Sequence, residues 1–463
     1  MRRYQRLGGL LIALAIGGCL LGGEAKPPEV WIPTDWHRFH AATIDQRALS
    51  QWWTTFDDPV LSRLIARAIA GNRDLRHAVA RVREARARRL RARAELFPLV
   101  AASGSQVYRN DEQSGTMLYT AGFDASWELD LFGGRRSELA AATATLQARQ
   151  EDVRDALVTL TSEVALNYID TCVATARLAT ATANLRTQRE ALDIARYRYE
   201  AGLTALIDVE QARTNLEQTR ATVPALRIER EQALNRLAVL LGEPAGSLAQ
   251  ELAAPRPIPV APITIAIGLP ADVLRRRPDV RRAERELVAQ AARVGVARAE
   301  LFPSLSLRGT IGLEALSLGD LLSSGARALT AAIDIAQPVF TAGRIRQNIA
   351  IETALQEQAA LEYEQTILVA LEEVENALVA YAEEQVRRDA LEAARDAARA
   401  AAELAESRYE TGITDFLVVL DAQRTLLTIE DQLAISTGDV VANLVRLYKA
   451  AGGGWAASTR GGG

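Results

Sequence analysis

Ala297-Arg298-Ala299-Glu300-Leu301-Phe302-Pro303 repeats, residue type for residue type, the stretch Ala92-Arg93-Ala94-Glu95-Leu96-Phe97-Pro98, which lies 205 positions earlier. Working outward, Asp74, Arg76 and Ala78 match Asp279, Arg281 and Ala283 at the same offset. Downstream, Arg198-Tyr199-Glu200-Ala201-Gly202-Leu203-Thr204 corresponds to Arg408-Tyr409-Glu410-Thr411-Gly412-Ile413-Thr414 at an offset of 210. Solenoid units run to only about 20–50 residues, so this period marks a duplicated domain half. The chain builds with two similar halves.

The hydrophobic period changes after each Leu-Phe-Pro corner. Tyr119, Ala121, Phe123, Ala125, Trp127 and Leu129 alternate with Thr120, Gly122, Asp124, Ser126, Glu128 and Asp130. One side is apolar and aromatic and the other polar, as in a transmembrane barrel strand with lipid outside and water inside. Leu305, Leu307, Ile311 and Leu313 repeat the pattern, and so do Leu329, Ala331, Ile333 and Ile335. The spacing predicts two strand pairs, over 99–130 and 304–338.

Glycine then opens a very long helix in each half, at Gly133-Gly134-Arg135 and at Gly343-Arg344. No Lys-Ser/Thr pair follows, so these are strand-to-helix corners and not phosphate loops. Leu139, Leu146, Val153 and Leu160 recur every seven residues, as do Leu178, Leu185, Leu192 and Tyr199 in a shifted phase. This is a coiled-coil seam with a stutter. Ile367, Leu371, Val374, Leu378 and Tyr381 show the same four-three spacing in the second half. A helix over 134–200 reaches roughly 100 Å at 1.5 Å per residue, and the shorter helices over 72–97 and 204–241, stacked end to end, match it. Each half is therefore a long helical hairpin with a strand pair at one end and a Gly-Thr turn at the other.

The ends of the chain carry other information. Arg2, Arg3 and Arg6 precede a short apolar run that stops at Gly17-Gly18-Cys19, the form of an export signal with a lipobox-like cut before Cys19. Leu20, and not Asp, follows that cysteine, which implies the outer membrane. Apart from Cys19 only Cys172 is present, so no intramolecular disulfide is available. The net charge of -4 and the exported address speak against nucleic acid, and the arginine row of 81–93 reads as a solvated, salt-bridged face. His37, His40 and His77 lack metal-ligand spacing. No nucleophile motif, metal cluster or cofactor loop points to an enzyme.

These readings divide the chain into a signal peptide (1–18), a lipidated N-terminal tether (19–50), a first repeat (51–241), an equatorial linker (242–270), a second repeat (271–450) and a disordered tail (451–463). The hairpins occupy 134–241 and 343–450. Four strands cannot close a membrane barrel, because an open edge in lipid leaves backbone groups unsatisfied. The chain must oligomerise, and three copies supply twelve strands with room for a channel. The expected fold is mainly α with a membrane β-barrel, a trimeric channel-tunnel.

Leu269-Pro270-Ala271-Asp272-Val273-Leu274-Arg275-Arg276-Arg277-Pro278-Asp279-Val280-Arg281-Arg282-Ala283-Glu284 resembles the signature of NodT-type outer-membrane lipoproteins of tripartite efflux systems, in the TolC-like outer-membrane factor family. Trp52-Trp53 to Pro59, both Leu-Phe-Pro corners and both Gly-Thr turns share that resemblance. It implies a homotrimeric exit duct without cofactors, apart from covalent lipid on Cys19. It also implies partners: a periplasmic adaptor and an inner-membrane pump of the resistance-nodulation-division type. Carried over residue by residue, the periplasmic gate is Leu417 and Asp421, with Tyr409 among the residues that latch neighbouring helices. The first-half counterparts Ile207 and Gln211 lack the acid, so the acidic ring occurs once per chain. Val418 and Thr414 stand where some relatives carry a second Asp and an Arg. The adaptor-contacting tips are Gly202, Leu203, Thr204, Gly412, Ile413 and Thr414.

Overall fold

The computed structural model describes residues 28, 30–37, 49–111, 114–261 and 268–455. The export segment and Cys19 lie outside the described residues. A short 3-10 helix, Trp52–Phe56, leads into α1 (Pro59–Gly71). The Asp58 carboxylate caps α1 by accepting from the amides of Val60 (2.8 Å) and Leu61 (3.1 Å), and Pro59 takes the first position, where no donor is needed. Helix α2 (Arg73–Ala94) stops three residues before the sequence spacing suggests. There the Leu96 and Phe97 amides bond the carbonyls of Arg93 and Ala94, tightening the last turn ahead of Pro98.

Strands β1 (Leu99–Asp111) and β2 (Ser114–Leu129) follow, then α3 (Gly134–Glu200) and α4 (Leu206–Leu241). The second repeat runs through α5 (Pro270–Arg276), α6 (Pro278–Ala299), β3 (Ser304–Ala315), β4 (Arg327–Ala336), α7 (Arg344–Glu410) and α8 (Phe416–Ala450). The long helices α3 and α7 each have 67 residues, as a duplication requires. No described helix is long and apolar enough to cross a membrane.

The chain forms two compact units, and each draws on both repeats. The repeats are therefore not separate bodies. Among the described residues one unit holds 79–111, 114–152 and 279–366, with a four-stranded antiparallel sheet of order β1-β2-β3-β4. The β2–β3 pairing joins the two repeats, with Trp127 opposite Leu307 and Phe123 opposite Ile311. The apolar side chains share one face: Phe123, Ile311 and Leu329 lie on one rung and Trp127, Leu307 and Ile333 on another. Leu329 and Ile333 are 80% and 70% exposed in the protomer, which is what a lipid-facing surface requires. On the opposite face Asp124 accepts from the hydroxyls of Ser103 and Thr310, and Arg308 pairs with Asp334 at 3.3 Å. Strands β1 and β4 end the order, each with one edge unpaired. Below the sheet the Phe132 ring stacks on Phe302 at 4.8 Å, and Arg135 bridges Glu95 (2.8 Å) and Glu128 (3.0 Å). The α2 arginines are mostly solvated, with Arg88 paired to Glu84 at 2.6 Å.

Among the described residues the other unit holds 31–37, 49–78, 153–261, 268–278 and 367–455. Its core collects Trp52, Leu61, Leu64, Tyr168, Ile169, Leu237 and Leu444, and Trp52 stacks on Tyr448 at 5.5 Å. The segment after α4 is part of this core, with Leu248 and Leu252 buried. Trp36 is buried in a second cluster with Leu49, Val273 and Val374, and its indole N–H donates to the Gly268 carbonyl.

The chain end from 451 was expected to be a disordered tail, yet Ala451, Gly452, Gly453 and Gly454 are buried. The Gly453 amide bonds the Tyr448 carbonyl (2.8 Å), the Gly454 amide bonds the Leu49 carbonyl (3.1 Å), and Arg154 lies over the Trp455 ring at 4.8 Å. Glycine serves packing here: Gly452 and Gly454 take φ of 72° and 98°, and a Cβ on Gly454 would lie 2.5 Å from the Thr161 hydroxyl. Residues 456–463 lie outside the described residues.

Candidate functional site

The helical hairpins turn at two loops of one design. Helix α3 ends with Gly202 at φ 73°, where the Leu203 amide bonds the Arg198 carbonyl (2.8 Å) and the Gly202 amide bonds that of Tyr199 (2.9 Å). Helix α7 ends with Gly412, also at φ 73°, where Ile413 bonds Arg408 (2.8 Å) and Gly412 bonds Tyr409 (3.0 Å). Both are glycine caps that satisfy the last carbonyls of a helix. A Cβ at either glycine would meet nothing within 4 Å, so the backbone angle and not crowding calls for glycine. The Thr204 hydroxyl donates to the Asp208 carboxylate, which braces the first turn; its counterpart Thr414 has no acid four residues on. Leu203 and Ile413 project into solvent, 71% and 65% exposed.

Above the turns a small core joins both hairpins: Leu192, Val209, Ala212, Leu216, Ala405, Tyr409, Phe416, Val419 and Leu420. Tyr409 is buried in it, with its ring 5.0 Å from Phe416. The Arg198 guanidinium sits 4.4 Å from the centre of the Tyr409 ring and donates to the Tyr409 carbonyl at 3.1 Å. The tyrosine face, the cation and the backbone acceptor thus tie α3 to the end of α7. The Tyr409 hydroxyl is buried and has no hydrogen-bond partner among the described residues of the protomer.

Leu417 and Asp421 are one turn apart on α8 and share a face. Phe416, Val419 and Leu420 point into the core while Leu417, Val418 and Asp421 are exposed, so the two gate candidates form a solvent-facing stripe. The Asp421 side chain is 75% exposed, with Arg424 at 3.8 Å. Ile207 is likewise exposed on α4, and Gln211 is half-buried. Tyr409 lies on the buried side, apart from that stripe.

Sequence reasoning missed three participants. In the sequence Arg198 stands out only as a repeat match, and its pairing with a tyrosine in both copies is the available signal. Arg424 stands three residues after Asp421 and offsets its charge, a spacing legible on any helix. Phe416 packs on Tyr409, and it could have been found as the first residue of the return helix.

The sequence profile described as "Outer membrane efflux protein" matches residues 64–243 and 269–453. The chain is 30% identical over 451 residues to Nodulation protein T of Rhizobium leguminosarum bv. trifolii, covering 93% of this chain and 94% of that protein. It is 34% identical over 462 residues to the probable efflux pump outer membrane protein TtgC of Pseudomonas putida, covering 96% and 94%. Among solved structures, the outer-membrane channel OprN superposes with a TM-score of 0.85 at 38% identity, covering 93% of this chain and 99% of that one. The open state of the Neisseria gonorrhoeae MtrE outer membrane channel gives 0.84 at 29% identity, covering 94% and 99%.

Proposed function

The chain belongs to the outer membrane efflux protein family, and from that premise we propose that three copies form the exit duct of a tripartite efflux pump. The observation that carries this reading is the four-stranded sheet, which exposes an apolar face and leaves β1 and β4 each with an open edge. An open edge is untenable in lipid, and joining β4 of one copy to β1 of the next removes it. Twelve strands then enclose a channel, and the helical hairpins stand on the periplasmic side.

Leu417 and Asp421 line the narrowest point of the duct in this reading. Three Asp421 carboxylates converging on the axis hold cations and repel anions, and Arg424 moderates that field. The core built on Tyr409, Arg198 and Phe416 holds the hairpins in the closed arrangement. The turns at Gly202, Leu203 and Thr204 and at Gly412, Ile413 and Thr414 meet a periplasmic adaptor, which links the duct to an inner-membrane pump of the resistance-nodulation-division type. Cys19 carries the lipid that anchors the mature N-terminus.

Planar-bilayer conductance of the detergent-purified protein, with its mass in detergent from the same sample, tests the proposal. A trimer passing small, cation-selective currents that divalent cations block supports it. A monomer or dimer without current overturns it.

A further inference from the structure

The duplicated halves make the seam inside one protomer a template for the seam between protomers. Within a protomer, β2 of the first repeat pairs with β3 of the second, with Asp124 opposite Thr310 and Trp127 opposite Leu307. The remaining edges, β4 and β1, are the repeat counterparts of β2 and β3. Their numbering relation follows from several observations. The Leu-Phe-Pro corners place β1 205 positions before β3. The hairpin registers, Ala101 opposite Asp124 and Ser306 opposite Asp334, then place β4 210 positions after β2. Side-chain contacts agree: the Trp127 indole donates to the Leu96 carbonyl, and Gln337, 210 positions on, donates to the Leu301 carbonyl. Asp124 bonds Ser103, and Asp334 pairs with Arg308, the counterpart of Ser103.

We propose that β4 of one protomer lies antiparallel on β1 of the next with Asp334 opposite Ser105 of the partner subunit, whose hydroxyl donates to the Asp334 carboxylate. This inference rests on the trimeric duct proposed above and fixes how its barrel closes. The contact copies the Asp124 and Thr310 bond of 2.8 Å, because Thr310 and Ser105 are repeat counterparts. Ser105 is available for it: its hydroxyl shares a 2.8 Å hydrogen bond with Thr120 in which either oxygen can be the donor. In the same register Ala331 faces Tyr108 of the partner subunit, and Ile333 faces Gln106 of the partner subunit. The apolar face of β4 thus continues onto the face of β1 that bears Val100 and Tyr108, and a one-residue slip would turn it inward. One rung departs from the template. Gly122 and Gly312 face each other so closely that a Cβ on either would lie within 2.6 Å of backbone, whereas Ala332 and Val107 take those places at the outer seam. The outer seam is the wider of the two at that rung.

Paired cysteines test the register. Ser105→Cys with Asp334→Cys probes the inner face, and Tyr108→Cys with Ala331→Cys probes the outer face, because disulfide geometry differs between the two kinds of rung. Cys172 is buried at 3% exposure and contributes no background, which the single variants check. Mild oxidation should yield covalent dimers and trimers, reversed by reductant, from at least one of these pairs. Ser103→Cys or Val107→Cys combined with Asp334→Cys should yield none. Cross-linking only in those displaced pairs, or in no pair of a protein whose mass in detergent is trimeric, overturns the register. A mass that is not trimeric overturns the duct instead, so the two failures are distinguishable.

Discussion

The Arg198 guanidinium rests 4.4 Å from the centre of the Tyr409 ring and bonds the carbonyl of the same residue. Two helices are joined through residues 211 positions apart, by one side chain against one aromatic face. Such a contact is worth about 0.5–2 kcal/mol, depending on desolvation. If it holds the hairpins closed, Arg198→Ala and Tyr409→Ala should each raise single-channel conductance. The double variant should add little to either, because both remove one contact. Tyr409→Phe keeps the ring and should behave as wild type, since the hydroxyl has no partner among the described residues of the protomer. A Tyr409→Phe variant as leaky as Tyr409→Ala would transfer the role to the hydroxyl.

At the proposed gate Asp421 and Arg424 make opposite predictions. Asp421→Ala removes the proposed acidic ring and should raise conductance while weakening block by multivalent cations. Arg424→Gln removes the cation 3.8 Å from Asp421 and should sharpen cation selectivity and block. Selectivity is read from reversal potentials in a salt gradient. Unchanged conductance and block in Asp421→Ala would place the constriction elsewhere.

The fold was legible because two copies of each signal lie in one chain. Period-two alternation in Phe123, Ala125 and Trp127 and in Leu329, Ala331 and Ile333 announced strands, and the glycines at 202 and 412 announced turns. What local sequence patterns do not encode is long-range or compositional. The Gly-rich end at 451–454 reads as loose chain, yet Gly453 fits between the Tyr448 and Leu49 carbonyls, and a Cβ on Gly454 would clash with the Thr161 hydroxyl. The partners of Arg198 and the packing of Trp52 on Tyr448 depend on tertiary contacts that no local pattern encodes.

The proposed adaptor-contacting tips can be tested apart from the proposed gate. Leu203→Glu and Ile413→Glu place a charge on exposed side chains whose backbone needs no change. Each should abolish efflux in cells while leaving the purified trimer and its conductance intact. Normal efflux from the double variant would remove the turns from the adaptor contact. These positions are better probes than Gly412, where φ 73° makes any side chain strain the backbone.

Acid should loosen one corner of the helical core. Glu251 accepts from Arg67 at 2.6 Å and pairs with Arg63 at 3.1 Å, and Arg67 also holds Glu243 at 2.7 Å. The Arg67 hydrogen bond, and then the charges of Arg67 and Arg63, hold the Glu251 carboxyl below its ordinary value. A carboxyl lowered in the fold contributes stability in full above its ordinary range, and that contribution is lost as pH falls through the lowered value. Glu251→Gln should therefore lower the thermal midpoint at neutral pH and leave it unchanged once the wild-type carboxyl is protonated. A difference that persists in acid would make the loss one of packing, not of charge.

Gly71 and Gly242 close the same region from both sides. A Cβ on Gly71 would lie 2.1 Å from the Leu241 carbonyl oxygen, and one on Gly242 would lie 2.4 Å from that of Gly71. The obstacle is backbone in both cases, so a side-chain rotation cannot relieve it. Gly71→Ala forces α1 away from the end of α4 and should cost about 1–3 kcal/mol or more, in the range of overpacked cores. Gly202→Ala is the comparison, because a Cβ there meets nothing within 4 Å and only the φ of 73° opposes it. That strain is local and about 1–2 kcal/mol. Thermal unfolding in detergent should therefore fall clearly for Gly71→Ala and little for Gly202→Ala, whose frayed tip need not take the core with it. Equal losses would mean that the tip and the core unfold as one cooperative unit.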